Sequence, residues 1–296
     1  MNENINSKPV ISQGWLRVLI FCVAYFAISL LIAIPIILLV KSSVDNPKTD
    51  INALMNGEYL WVTILLTALV LLILVFIFRK FIDRQTFASI GFELDGFFAD
   101  AASGFFLAAA ILGIGTIILY FSGHLFWLDA NADFSKLFIA FGMMVIIAFS
   151  EELVFRGYIL NNLMQSFNKW IALFISAILF ALAHSLNPGV NLLSVGGLFL
   201  AGILLGINYI YTKNLWFAIL FHLSWDFFQG PILGYKVSGV NLPTLLEPEI
   251  KGDTAITGGD FGFEASMINI LLLLIAISVL YFIYEKKYKT PPVAMA

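Results

Sequence analysis

The sequence predicts an all-α fold, a polytopic integral membrane bundle of about eight transmembrane helices, and three observations carry that prediction. Of the 296 residues, 60% are hydrophobic and 12% charged, against about 45–50% and about 25% in an average soluble domain. The mean hydropathy is +0.95. Eight apolar runs are bounded by charged or turn-forming residues, near the length of about 20 residues that a helix needs to cross a hydrocarbon core about 30 Å thick. A helix is the open-chain structure that satisfies its own backbone there. A soluble globular domain, a coiled coil and a disordered chain are excluded. The net charge of -3 and pI near 5.6 offer no basic face for nucleic acid.

In chain order, the first run, Trp15 to Val40, has only Lys8 and Arg17 near it. It is too long for a removable signal peptide and is expected to persist as a helix. Tyr59 to Phe78 follows, then a connector over Arg79 to Gly96, then runs from Phe98 to Phe121, Leu137 to Tyr158, Trp170 to Leu186, Leu192 to Ile210, Leu215 to Leu233 and Met267 to Tyr284. In the sixth run, Gly202 and Gly206 form a small-xxx-small pair, read as a site of close helix packing. The single cysteine, Cys22, lies inside an apolar run, so no intrachain disulfide and no thiolate metal cluster are expected. The whole chain, 1–296, reads as one membrane domain without internal repeats.

Lys and Arg set the orientation, because positively charged short loops stay on the cytoplasmic side. A cytoplasmic N-terminus puts Lys8, Arg17, Arg79, Lys80, Arg84, Lys169, Lys213, Lys286, Lys287 and Lys289 inside, and Lys41, Lys48, Lys136, Lys236 and Lys251 outside. Both termini are therefore expected in the cytoplasm, with the plasma membrane the simplest location for a prokaryotic source. The Gly-rich and acid-rich loop over 231–266, with Glu247, Glu249, Asp253, Asp260 and Glu264, is expected outside.

Function has to come from ionisable residues inside the runs, since each costs about 2.5–3.5 kcal/mol at a helix centre on insertion scales. Glu151, Glu152 and Arg156 lie in the fourth run, His184 at the end of the fifth, and His222 with Asp226 in the seventh. His124, in an outer connector beside Phe126 and Trp127, reads as interfacial. On a helix Glu152 and Arg156 share a face and can pair, which gives Glu152 a structural reading. Glu151 points about 100° away and stays free. A carboxylate held in a poorly solvated place is a candidate general base. His222 and Asp226 also share a face, so both can aim at one centre, or the carboxylate can orient the imidazole. Singly, each residue also has a structural reading, as a packing ion pair or a histidine bonded to a backbone carbonyl. Straight-helix counting sets Glu151 and His222 toward the cytoplasmic half and His184 late in an outward-going helix. Tilt or a shortened fifth helix must bring the three level for them to share a site.

These residues resemble the motifs of the CAAX protease and bacteriocin-processing (CPBP) family of intramembrane proteases. The Glu-Glu-xxx-Arg motif is matched by Glu151, Glu152 and Arg156, followed by Gly157-Tyr158; Phe-xxx-His by Phe180 and His184; and His-xxx-Asn/Asp by His222 and Asp226. Ser89-Ile90-Gly91-Phe92 and Thr212-Lys213-Asn214-Leu215-Trp216 supply similar context, so the resemblance covers about 89–228. It implies an intramembrane endopeptidase acting on a membrane-associated protein or peptide. Glu151 and His184 would activate water, while His222 and Asp226 would stabilise the oxyanion or, with His184, ligate a divalent metal such as zinc. An ionised Asp226 cannot donate to an oxyanion as Asn would, which leans toward metal ligation or orientation of His222. Two other readings stay open: a proton-coupled transporter, against which the lack of internal repeats counts, and a catalytically silent scaffold or immunity protein. Substrate identity, oligomeric state and metal dependence are left open.

Overall fold

The computed structural model describes residues 8–43 and 58–289. Lys48, expected in an outer loop, lies outside the described residues. The helices are α1 (Gly14–Ser43), α2 (Glu58–Ile77), α3 (Phe98–Phe121), α4 (Phe134–Glu152), α5 (Lys169–Ala183), α6 (Leu192–Thr212), α7 (Trp216–Phe227) and α8 (Met267–Lys289). Each apolar run of the sequence is one of these helices, and the run from Phe98 to Phe121 matches to the residue. Among the described residues six helices are long and apolar enough to cross a membrane. α5, with 15 residues, and α7, with 12, are shorter. The expectation of about eight spans is therefore met by six long helices and two short ones, of which α7 is mostly buried and α5 exposes Ile171, Phe174 and Leu182 along one face.

Two features modify the all-α expectation. A two-stranded antiparallel ribbon joins β1 (Leu125–Ala130) to β2 (Leu246–Ile250), with Leu125 opposite Ile250 and Ala130 opposite Leu246. Three helices also pass into π-helical turns: α2 into Phe78–Ile82, α4 into Leu153–Leu160 and α7 into Phe228–Ile232. In the last of these Pro231 has no N–H to give to a regular ladder. The helix α4 continues past its π turn to Leu163.

Small residues set the tightest approaches. A Cβ on Gly202 would lie 2.8 Å from Ala177 Cα, and one on Gly206 would lie 2.4 Å from Leu173 Cδ1, so the sixth-run pair is the seam between α6 and α5. At Gly104 a Cβ would lie 2.3 Å from the Phe217 carbonyl oxygen, where α3 runs along α7. At the end where α1 and α5 begin and α2, α4 and α6 finish, a buried network joins the helices. Arg17 and Arg79 both pair with Asp83, at 3.0 and 2.9 Å, and Arg17 also donates to Gln165 at 2.6 Å. The loop over 231–266 does not stand away from the bundle, because Tyr235, Phe261, Phe263 and Ala265 are buried in its core.

Gly104→Ala is expected to destabilise the protein by about 1–3 kcal/mol, because the new methyl meets backbone that cannot yield. Gly113→Ala, on the same helix with nothing within 4 Å of the added Cβ, is expected to be neutral or slightly stabilising. Thermal unfolding of the two variants in detergent compares them, and equal losses would contradict the α3–α7 seam.

Candidate active site

Glu152 is the residue around which the site is built. It closes α4, has no exposed surface, and uses Oε1 to accept from Arg156 at 2.7 Å and from His222 Nδ1 at 2.8 Å. The structural role expected for Glu152 is thus only part of its work: it also fixes the imidazole of α7. Arg156, likewise buried, donates at 3.2 Å to the Gly202 carbonyl, and its guanidinium lies 4.6 Å from the centre of the Phe180 ring. One carboxylate therefore ties α4 to α7, and its partner ties α4 to α5 and α6.

The π-helical turn that follows Glu152 makes this geometry. A π turn widens the helix and leaves carbonyls without their usual donor. Ser176 of α5 donates its hydroxyl to the Phe155 carbonyl at 3.1 Å, which satisfies one of them. Gly157 lets the widened helix sit against Ile90, whose Cγ2 lies 2.3 Å from where a Cβ would be.

His184 arrives by a different route. α5 stops at Ala183, leaving His184 as its C-cap residue. Fifteen residues rise about 22 Å, short of the about 30 Å of a bilayer core, so the chain turns before reaching the far face. That shortening brings His184 level with α4: its Nε2 lies 3.6 Å from Glu151 Oε2, and its Nδ1 lies 2.9 Å from the Phe180 carbonyl. Oε2 of Glu151 takes no hydrogen bond among the described residues. His222 Nε2 faces Asp226 Oδ2 at 3.5 Å.

Glu151, His184, His222 and Asp226 all line one cavity of about 900 Å³, with Glu152 and Arg156 behind its wall. Its remaining lining includes Tyr25 of α1 and Thr67 of α2, which lie outside the segment that carries the motifs. It also includes Glu264, which sequence reasoning placed in an outer loop. This residue is 7% exposed, and burial pushes its carboxyl above the usual range, against the opposing effect of the bonds from Ser238. The signal that could have found it is the pair of aromatic residues, Phe261 and Phe263, just before it in a loop otherwise read as polar.

The residues expected as metal ligands, His184, His222 and Asp226, all reach the wall of one cavity. Among the described residues no three His, Cys, Asp or Glu side chains are grouped to hold a metal ion. His222 is engaged by carboxylates on both of its nitrogens, and His184 turns one nitrogen to a carbonyl and the other to Glu151.

Replacing Arg156 by Met leaves the Glu152 charge buried without its guanidinium and is expected to cost about 3–5 kcal/mol. Adding Glu152→Gln to Arg156→Met should return much of that loss, because a neutral amide is cheaper to bury than a stranded carboxylate. Unfolding of the single and double variants in detergent measures the coupling, and strictly additive losses would mean that the pair is not a unit.

Comparison with known proteins falls on this same region. Residues 133–228 match a family model described as "Type II CAAX prenyl endopeptidase Rce1-like". The chain is also similar to a protein of Bacillus subtilis (strain 168) described as "Putative membrane peptidase YdiL", with 27% identity over 230 residues, which is 73% of this chain and 87% of the relative. No solved structure matches the chain at a significant level.

Proposed function

These matches support a membrane protease of the CPBP family, and from that premise we propose that the chain is an intramembrane endopeptidase whose base is Glu151. The observation that carries this reading is the unbonded Oε2 of Glu151 on the cavity wall, 3.6 Å from His184 Nε2. The Glu151 side chain keeps 23% of its surface exposed and that of His184 14%, so one water in the cavity can bond to both side chains. Glu151 takes a proton from that water as its oxygen attacks the peptide carbonyl carbon, while His184 orients it. The carbonyl oxygen becomes an oxyanion. His222, flanked by Glu152 and Asp226, acts as an imidazolium: it keeps Nδ1–H on Glu152 and, with Asp226 too far at 3.5 Å to hold a good hydrogen bond, offers Nε2–H to that oxygen. The C–N bond then breaks, and the leaving nitrogen takes the proton from Glu151. Asp226 orients His222 across the 3.5 Å gap. The step uses side chains alone.

The substrate in this reading is a membrane-associated protein or peptide. A plasma membrane location with both termini cytoplasmic belongs to the same proposal. It is supported by the way the loops richest in Lys and Arg meet at one end, where Arg17 reaches Asp83 and Lys169 reaches Glu285.

Peptide termini compared by mass spectrometry in membranes from cells expressing the wild type or Glu151→Gln at matched levels test the reaction. Termini that depend on the wild type are expected to fall at least about a hundredfold in Glu151→Gln and in His184→Ala, the usual scale for loss of a positioned proton acceptor. A variant Glu151→Gln with unchanged termini would overturn the assignment. Dialysis of the purified protein against a chelator is expected to leave cleavage intact; loss that zinc restores would replace the side-chain mechanism with a metal-assisted one.

A further inference from the structure

His184 is followed by a turn rather than by more helix. From Ser185 to Val190 no continuing helix holds the chain, and Ser185, Leu186, Gly189 and Val190 are exposed, so the contacts that position the turn are few. Those contacts come from the loop between α7 and α8, at Pro188 and Gly189. Val237 and Val240 exchange backbone hydrogen bonds around a two-residue turn, Ser238-Gly239, both with positive φ, 47° and 83°. That turn is pressed on the His184 turn: a Cβ on Gly239 would lie 1.9 Å from the Pro188 carbonyl oxygen. A second approach lies beside it, where a Cβ on Gly189 would lie 2.9 Å from the Asp260 carbonyl carbon.

The Ser238-Gly239 turn is in turn held by Glu264. One carboxylate oxygen accepts from the Ser238 backbone N–H at 2.7 Å, and both accept from its hydroxyl at 3.2 Å. Around this tie, Gly239 N–H donates to the Phe261 carbonyl at 2.7 Å, and Gln229 donates to the Lys236 carbonyl at 2.8 Å. Asn269 of α8 donates to the Glu264 carbonyl at 3.0 Å, anchoring the clamp in a long helix. Glu264 lines the cavity itself, and the turn it holds lines it too, through Val237, Ser238 and Val240.

We propose that Glu264 is a positioning residue for the peptidase reaction, holding the Ser238-Gly239 turn against Pro188 so that His184 stays in reach of Glu151. The proposal rests on the peptidase reading for its catalytic half; its positional half stands on contacts alone. Glu264→Gln keeps the shape but sets an amide N–H against donors that need an acceptor. Ser238→Ala removes only the hydroxyl, so it tests the same tie with less risk to folding.

The experiment pairs two readouts on the full chain in detergent. Hydrogen–deuterium exchange is followed by mass spectrometry over peptides covering 184–190, with α3 as an internal control. Cleavage is followed with a peptide identified from the termini comparison. Exchange over 184–190 is expected to rise about tenfold in Glu264→Gln, with a smaller rise in Ser238→Ala, as expected for local opening. The kcat is expected to fall about tenfold or more while KM stays within about twofold, because a misplaced group costs the reacting geometry rather than substrate binding. Unchanged exchange over 184–190 in both variants overturns the proposal, as does a rise confined to 235–240. A rise over 184–190 with unaltered kcat overturns the catalytic half. Raised exchange in a protein whose wild type cleaves nothing upholds the clamp and overturns the peptidase reading instead.

Discussion

The rest of the structure depends on one buried carboxylate. Glu152 carries its charge where no water reaches it, and a lone ion there would cost several kcal/mol even after relaxation. Its neighbours follow from that cost. Arg156 has to sit within one turn of it, Phe180 has to shield the guanidinium, and His222 has to approach from α7. The same arrangement turns Glu151 out of the pair and onto the cavity wall, with its Oε2 unbonded, while Glu152 puts Oε1 into both of its bonds.

Short helices do the remaining placement. In a membrane every backbone polar group must be satisfied within the protein, so an early stop is permitted only where other chain covers it. α5 stops early and its following turn meets the segment ending at Glu264 at Pro188 and Gly189; α7 passes early into a π turn at Phe228, just after Asp226. These two departures set the depth of His184 and of the His222–Asp226 pair.

Much of this was legible in the sequence, for physical reasons that differ by residue. Long apolar runs have one folding solution in lipid, so the helix boundaries at Phe98, Leu192 and Met267 agree between sequence and structure. The six ionisable residues stood out because charge is costly inside such runs. Less legible were the features that depend on contacts between runs. The π turn after Glu152 is stabilised by Ser176 on another helix, and no local pattern announces it. The second bond of Glu152, to His222, joins residues 70 positions apart. Glu264 looked like one acid among several in a polar loop, and its burial comes from tertiary packing by Phe261 and Phe263. The ribbon of β1 and β2 was missed because its strands lie far apart in the chain and pair only after the helices are placed.

The two halves of the wall beside His184 are made of different materials. Below it, α5 is held by a ladder of backbone bonds that most side chains can support. Above it, the wall is turns that meet through Gly189 and Gly239, at positions where an added methyl group would strike a carbonyl. Under random substitution the lower half would drift freely in everything but size and polarity, while the upper half would tolerate almost no change at those two points. A protein built this way can vary its lipid-facing surface widely and still hold the same turn over the same histidine.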